Sequence, residues 1–213
     1  VNVIGTAAGT LTNTVTVTAD TLTSDPAIAT ITVGNVFQIS YASNLNAGDS
    51  VINITNAGTL SGLDPNGRIC ANFYAFDPAE EMIDCCSCLV TPNGLDALSA
   101  QTDLIANPLT PGTPSSIVIK LLGTTPAGGS LCDASAPSAL NLEPGLYAWG
   151  TTLHASAANP AVYTVAENPF QQATLSATEL QKLTSYCRFI ETAGSGYGIC
   201  ASCQVGGLGA AHH

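Results

Sequence analysis

Short runs of alternating apolar and polar residues, cut by turn residues at roughly ten-residue spacing, recur along most of this chain. That rhythm constrains the fold more than any other feature. Asp64-Pro65-Asn66-Gly67 and Thr91-Pro92-Asn93-Gly94 are strong turn signals. Residues 68–76, R-I-C-A-N-F-Y-A-F, read as a buried strand, and residues 82–90 as its hairpin partner across the polar 77–81 connection. Residues 51–54, 115–122, 145–153 and 161–166 add further strands. Residues 27–41 hold two alternating bursts around Gly34-Asn35, either a hairpin with a tight turn or one long bulged strand. Residues 95–105 fit a short helix or an irregular loop, and 107–114 a Pro-rich spacer. A total of about eight or nine strands predicts an all-β fold, a β-sandwich of Ig-like or jelly-roll-like kind.

The period changes near the C-terminus. Ser176-Ala177-Thr178-Glu179 has the form of a capping box. Leu180, Leu183, Cys187 and Ile190 then fall on one helical face, predicting a helix over 176–192 with Cys187 on its apolar side. One domain, 26–213, carries this helix and a cysteine-containing tail, and 1–25 form an N-terminal extension.

Eight cysteines occur: Cys70, Cys85, Cys86, Cys88, Cys132, Cys187, Cys200 and Cys203. Their even number allows 105 complete pairings. Cys85 and Cys86 are adjacent, so in a strand they point to opposite faces and take separate partners. Reflection about the middle of the 77–81 connection brings Cys70 near Cys88, which predicts a cross-strand or diagonal disulfide there. One of Cys85 and Cys86 is expected to staple the C-terminal helix or tail onto the sheet. The alternative is a thiolate site for zinc or an iron–sulfur cluster, for which the adjacent pair is an awkward ligand set. No cofactor or metal is expected.

Within the extension, residues 10–19 read T-L-T-N-T-V-T-V-T-A. Leu11, Asn13, Val15, Val17 and Ala19 share one parity and the threonines the other, as in a strand with an apolar face and a hydroxyl face. No cysteine precedes Cys70, so this strand has no covalent tie to the body. It can pair at home or complete a neighbour's sheet.

Only 9% of residues are charged, against an ordinary quarter or so. Net charge is -11, with Arg68, Lys120, Lys182 and Arg188 the only Lys and Arg residues. Four scattered cations build no basic stripe, which excludes a nucleic-acid partner and anionic-lipid binding. No apolar run is long enough for a membrane-spanning helix. Val1 reads as the start of a secreted chain whose signal peptide has been removed, and the cysteines agree with an extracellular or cell-surface location.

No catalytic set stands out, and an enzyme is not expected. His154 reads as a surface or structural residue, His212 and His213 are terminal, and no G-x-S-x-G elbow occurs. Asp77, Glu80, Glu81 and Asp84 lack calcium-loop spacing and read as a solvated turn. Tyr147, Trp149 and Tyr163 are candidates for a sugar platform, though their strand spacing favours core packing. Asn53-Ile54-Thr55 is a glycosylation sequon.

The layout of a free N-terminal strand before a disulfide-locked sandwich resembles the donor-strand pilins and other strand-exchanging bacterial filament proteins. That resemblance implies a structural subunit of an extracellular filament or surface layer, with copies of itself as partner. The alternative is a monomeric secreted module binding a surface glycan or surface protein.

Overall fold

The computed structural model describes residues 9–15, 18–19, 22–23, 27–33, 35–58, 64–106, 112–127, 131–193 and 200–203; before residue 34 it describes backbone pairing alone. The strands in chain order are β1 (Gly9–Val15), β2 (Thr18–Ala19), β3 (Leu22–Thr23), β4 (Ala27–Val33), β5 (Phe37–Ser43), β6 (Val51–Asn56), β7 (Ile69–Phe76), β8 (Met82–Val90), β9 (Leu95–Ser99), β10 (Ser116–Thr124), β11 (Leu146–Ala155), β12 (Tyr163–Pro169) and β13 (Gln171–Gln172). One α-helix, α1 (Ala177–Thr192), follows.

β7 shows how the layers arise. All eight of its residues are buried, because the strand has neighbours on both edges and material on both faces. It lies in a five-stranded antiparallel sheet of order β13-β5-β10-β7-β8, and the second sheet has four strands, β12-β11-β6-β9. Ala71, Phe73 and Ala75 point between the sheets, into a core with Ile52, Ile54, Leu98, Ile119, Leu121 and Leu146. Tyr74 and Phe76 point outward, into a second cluster with Phe37, Leu122, Leu183, Cys187 and Ile190. The molecule is thus an all-β sandwich with a helix over the outer face of one sheet.

The helix is placed by its first turn. Ser176 Oγ accepts from Glu179 N at 3.0 Å, the first half of a capping box. The Glu179 carboxylate does not reach back to the cap; it pairs with Lys120 Nζ of β10, and Lys120 lies 4.4 Å from the Phe76 ring centroid. At the end of β10 the chain needs a glycine. A Cβ on Gly123 would lie 2.2 Å from the Glu143 carbonyl oxygen, and there Glu143 N donates to the Gly123 carbonyl while Gly123 N donates to that of Val36.

Two expectations fail. Residues 27–41 are neither a hairpin nor one bulged strand: β4 pairs with β1, and β5 with β10 and β13. Alternation marks a strand but not its partner. Residues 95–105 are neither plain helix nor loop. β9 alternates exposed and buried, then a π-helix, Ala100–Leu104, begins at Ser99, whose side chain accepts from Thr102 N. Leu98 of β9 and Leu104 of the π-helix meet in one core, whereas Leu95 and Thr102 of the expected helical face are exposed.

Candidate functional site

The disulfides follow from the two faces of β8. The pairs are Cys70–Cys132, Cys85–Cys187, Cys86–Cys200 and Cys88–Cys203. Cys85 turns outward to α1, whereas Cys86 and Cys88 turn into the sandwich and take the two cysteines of the tail. The expected staple therefore exists twice, once to the helix and once to the tail. The expected disulfide between Cys70 and Cys88 does not form. The β7–β8 ladder has a bulge between Ala75 and Phe76, so Phe76 faces Met82 but Ala71 faces Cys88 and Cys70 faces Leu89. A one-residue shift flips a side chain to the other face.

The tail closes one side of the sandwich. Cys200 N donates to the Ser87 carbonyl at 3.3 Å, on the outer edge of β8. Ser202 N and Oγ donate to the buried Asp103 carboxylate at 2.7 and 2.6 Å, and Ser99 N donates to it at 2.8 Å. Asp96, buried on β9, has a carboxylate oxygen 2.8 Å from Cys203 Sγ. Asp84 faces Ala75 across the ladder and is buried, not part of a solvated turn; Asp77, Glu80 and Glu81 do form the exposed or half-buried connection. Burial pushes the Asp84 carboxyl up to about 7. The Cys85 N–H bond pulls partly back, and the charge of Asp103 pushes further up.

The opposite side is open. β12 is the outermost strand of its sheet, and no described strand lies beyond it. β13 covers the neighbouring edge of β5 only at Gln38 and Ile39. A cleft of about 580 Å³ opens there, lined by Ile39, Tyr41, Val118, Thr152, Asn168 and Pro169 among others. Tyr41 and Val118 face each other in register and are 51% and 40% exposed, an uncovered apolar pair.

The expected assembly strand is β1 with its continuation. Leu11, Asn13 and Val15 stand opposite Ile31, Ala29 and Ala27 of β4, and the two strands form a sheet of their own. Ala19 stands opposite Leu22 in the short β2–β3 pairing, and Val17 lies outside the described residues.

The aromatic residues overturn their expected place in the core. Tyr147 and Trp149 are 46% and 37% exposed on the outer face of the four-stranded sheet, and Tyr163 lies on the exposed β12. Trp149 borders a second cleft, of about 390 Å³, with Asn35, Gln38, Tyr147, Gln171 and Gln172. Nothing in their spacing distinguishes the outer face from the inner one, since Leu146, Ala148 and Gly150 are small or apolar too. His154 is exposed, and His212 and His213 lie outside the described residues. Asn53 of the sequon lies within β6 and donates to Glu167 Oε1 at 3.2 Å.

Two groups place cysteine sulfur beside a carboxylate: Cys85 and Cys187 with Glu191, and Cys88 and Cys203 with Asp96. In both, the sulfurs are joined to each other and carry no thiolate for a metal. No helix among the described residues is long and apolar enough to cross a membrane. No family model, curated protein or solved structure matches this chain.

Proposed function

We propose that the protein is a non-enzymatic structural subunit of an extracellular filament or surface assembly, polymerising by adding its N-terminal strand to a neighbouring copy. One observation carries this reading: among the described residues, β1 and β4 form a two-stranded sheet that joins neither sheet of the body. An isolated two-stranded sheet is marginal in water and gains stability from a third strand. A neighbour's sheet supplies one, with main-chain bonds along its length. Because donor and acceptor are different surfaces, such contacts propagate without closing. Four disulfides suit an oxidising compartment. The test is the size distribution of the full chain against a variant lacking residues 1–33, by light scattering and electron microscopy. Concentration-dependent polymers in the first and a folded monomer in the second are expected. Identical monomers in both would sink the reading.

A second reading, a glycan-binding module, is favoured by the Trp149 cleft. A partly exposed indole beside Tyr147 and several side-chain amides offers a stacking surface and uncharged hydrogen-bonding groups, as neutral sugars require.

A further inference from the structure

The lateral edges of the sandwich are not equivalent. β8 carries the tail, fixed by Cys86–Cys200 and Cys88–Cys203. β9 runs into the π-helix, which Asp103 joins to the same tail. β5 carries β13, and beyond it Thr152 Oγ1 donates to the Tyr41 carbonyl at 3.1 Å. No strand lies beyond β8, β9 or β12 among the described residues. At β8 and β9, however, side chains take outward N–H groups, Asp84 Oδ1 that of Cys85, Asp96 Oδ1 that of Ala97 and Asp103 Oδ2 that of Ser99, and β12 carries no such cap.

The bonds at the two ends of β12 fix what that edge presents. Ser156 N donates to the Val162 carbonyl, and Phe170 N donates to the Ala148 carbonyl. In an antiparallel ladder, bonds so placed put Ala155 opposite Tyr163 and Trp149 opposite Pro169 as non-bonded pairs. Tyr163, Val165 and Glu167 therefore aim both main-chain groups away from β11. Pro169, which has no N–H, sits in the same outward series, where a proline is tolerated. Natural edges are commonly blunted with charged side chains, lysine above all, and with proline; β12 carries Glu167 and Pro169 at one end and no lysine, and Val165 at its middle is 66% exposed.

We propose that the free edge of β12 is the acceptor for β1 of a second copy, giving a sheet of order β4-β1-β12-β11-β6-β9 across two molecules. This rests on the filament reading and names its docking surface. β1, β4 and β12 are each seven residues long, so the ladders match end to end. Neither β1 nor β4 contains a charged residue, so nothing opposes Glu167 across the new pair. With the tail on β8 and carboxylates on the outward N–H groups of β9, β12 is the acceptor edge of each copy, and assembly is unidirectional.

The test uses the full chain. Val165→Pro removes an outward N–H while leaving the β11 ladder intact, and Val165→Lys charges the edge without a backbone change. Each is compared with wild type for polymer mass by light scattering and for fibres by electron microscopy, with circular dichroism as the folding control. At least a tenfold loss of polymer in both folded variants is expected. Wild type that polymerises alongside an equally competent, folded Val165→Lys overturns this acceptor and leaves the filament reading standing. Wild type that stays monomeric at every concentration overturns both.

Discussion

Cys85 and Cys86 are adjacent in β8 and bond in opposite directions, Cys85 to Cys187 of the helix and Cys86 to Cys200 of the tail. A single strand thereby ties down the layer above its sheet and the segment that closes the side of the sandwich. Nothing comparable reaches the N-terminal strands, because the first cysteine in the chain is Cys70. The covalent frame divides the molecule into a locked body and a hairpin held by main-chain bonds.

The disulfides should contribute unequally. Cys85–Cys187 spans 102 residues, but with Cys86–Cys200 intact it closes only the ring between residues 187 and 200, so replacing both by serine should cost roughly 3 kcal/mol in the chain-entropy account. Cys86–Cys200 and Cys88–Cys203 span 114 and 115 residues, but either one alone already closes that long loop. With its neighbour intact, each closes only a ring of a few residues, and its loss should cost roughly 2 kcal/mol. Denaturant unfolding of the two single-pair variants and of the variant lacking both should show a combined loss exceeding the sum of the single losses.

How much of this was legible in the sequence depends on the kind of contact. The β7–β8 hairpin, the helix and its Ser176 cap are local, and residues within a few positions determine them. The separate partners of Cys85 and Cys86 follow from strand alternation alone. The position of Cys70 turned on the bulge at Ala75/Phe76, which leaves no mark in composition. The exposure of Trp149 turned on which side of β11 received the other sheet, a tertiary fact that alternation leaves undecided. Asp84 and Asp103 were hidden for the same reason: burial of a carboxylate is set by what folds over it.

Asp84 makes stability depend on pH. Its carboxyl rises from 3.8 to about 7 in the folded state, so the folded chain holds a proton that the unfolded chain releases. The contribution is fully present below pH 3.8 and is lost as pH rises through 7. At about 1.4 kcal/mol per pH unit, the fall is at most ~4 kcal/mol. Urea unfolding between pH 4 and 7 should show it in wild type, and Asp84→Asn should flatten the profile. A wild-type profile already flat over that range would contradict the assigned burial.

Gly123→Ala tests a packing requirement. The new methyl would meet the Glu143 carbonyl at 2.2 Å, too close for any rotation to relieve. The chain between β10 and β11 must shift away, breaking the Glu143 N to Gly123 O bond of 2.9 Å. Overpacking of this kind costs about 1–3 kcal/mol. Thermal unfolding should report a clear drop in midpoint, whereas Gly112→Ala, with no atom within 4 Å of its added carbon, should change little.

The glycan reading has a built-in reporter, since Trp149 is the only tryptophan in the chain. It borders the cleft with Tyr147, so its emission senses occupancy directly. Titration with a panel of neutral oligosaccharides should give a saturable change in intensity or wavelength. Tyr147→Ala keeps the reporter and should weaken binding about tenfold, the ~1.4 kcal/mol at the upper end of an aromatic contact. Both side chains lie on the outer face, so the unfolding midpoint should hold in this variant. An emission spectrum unmoved by every sugar would remove the glycan reading, and a change that Tyr147→Ala leaves untouched would place the sugar elsewhere.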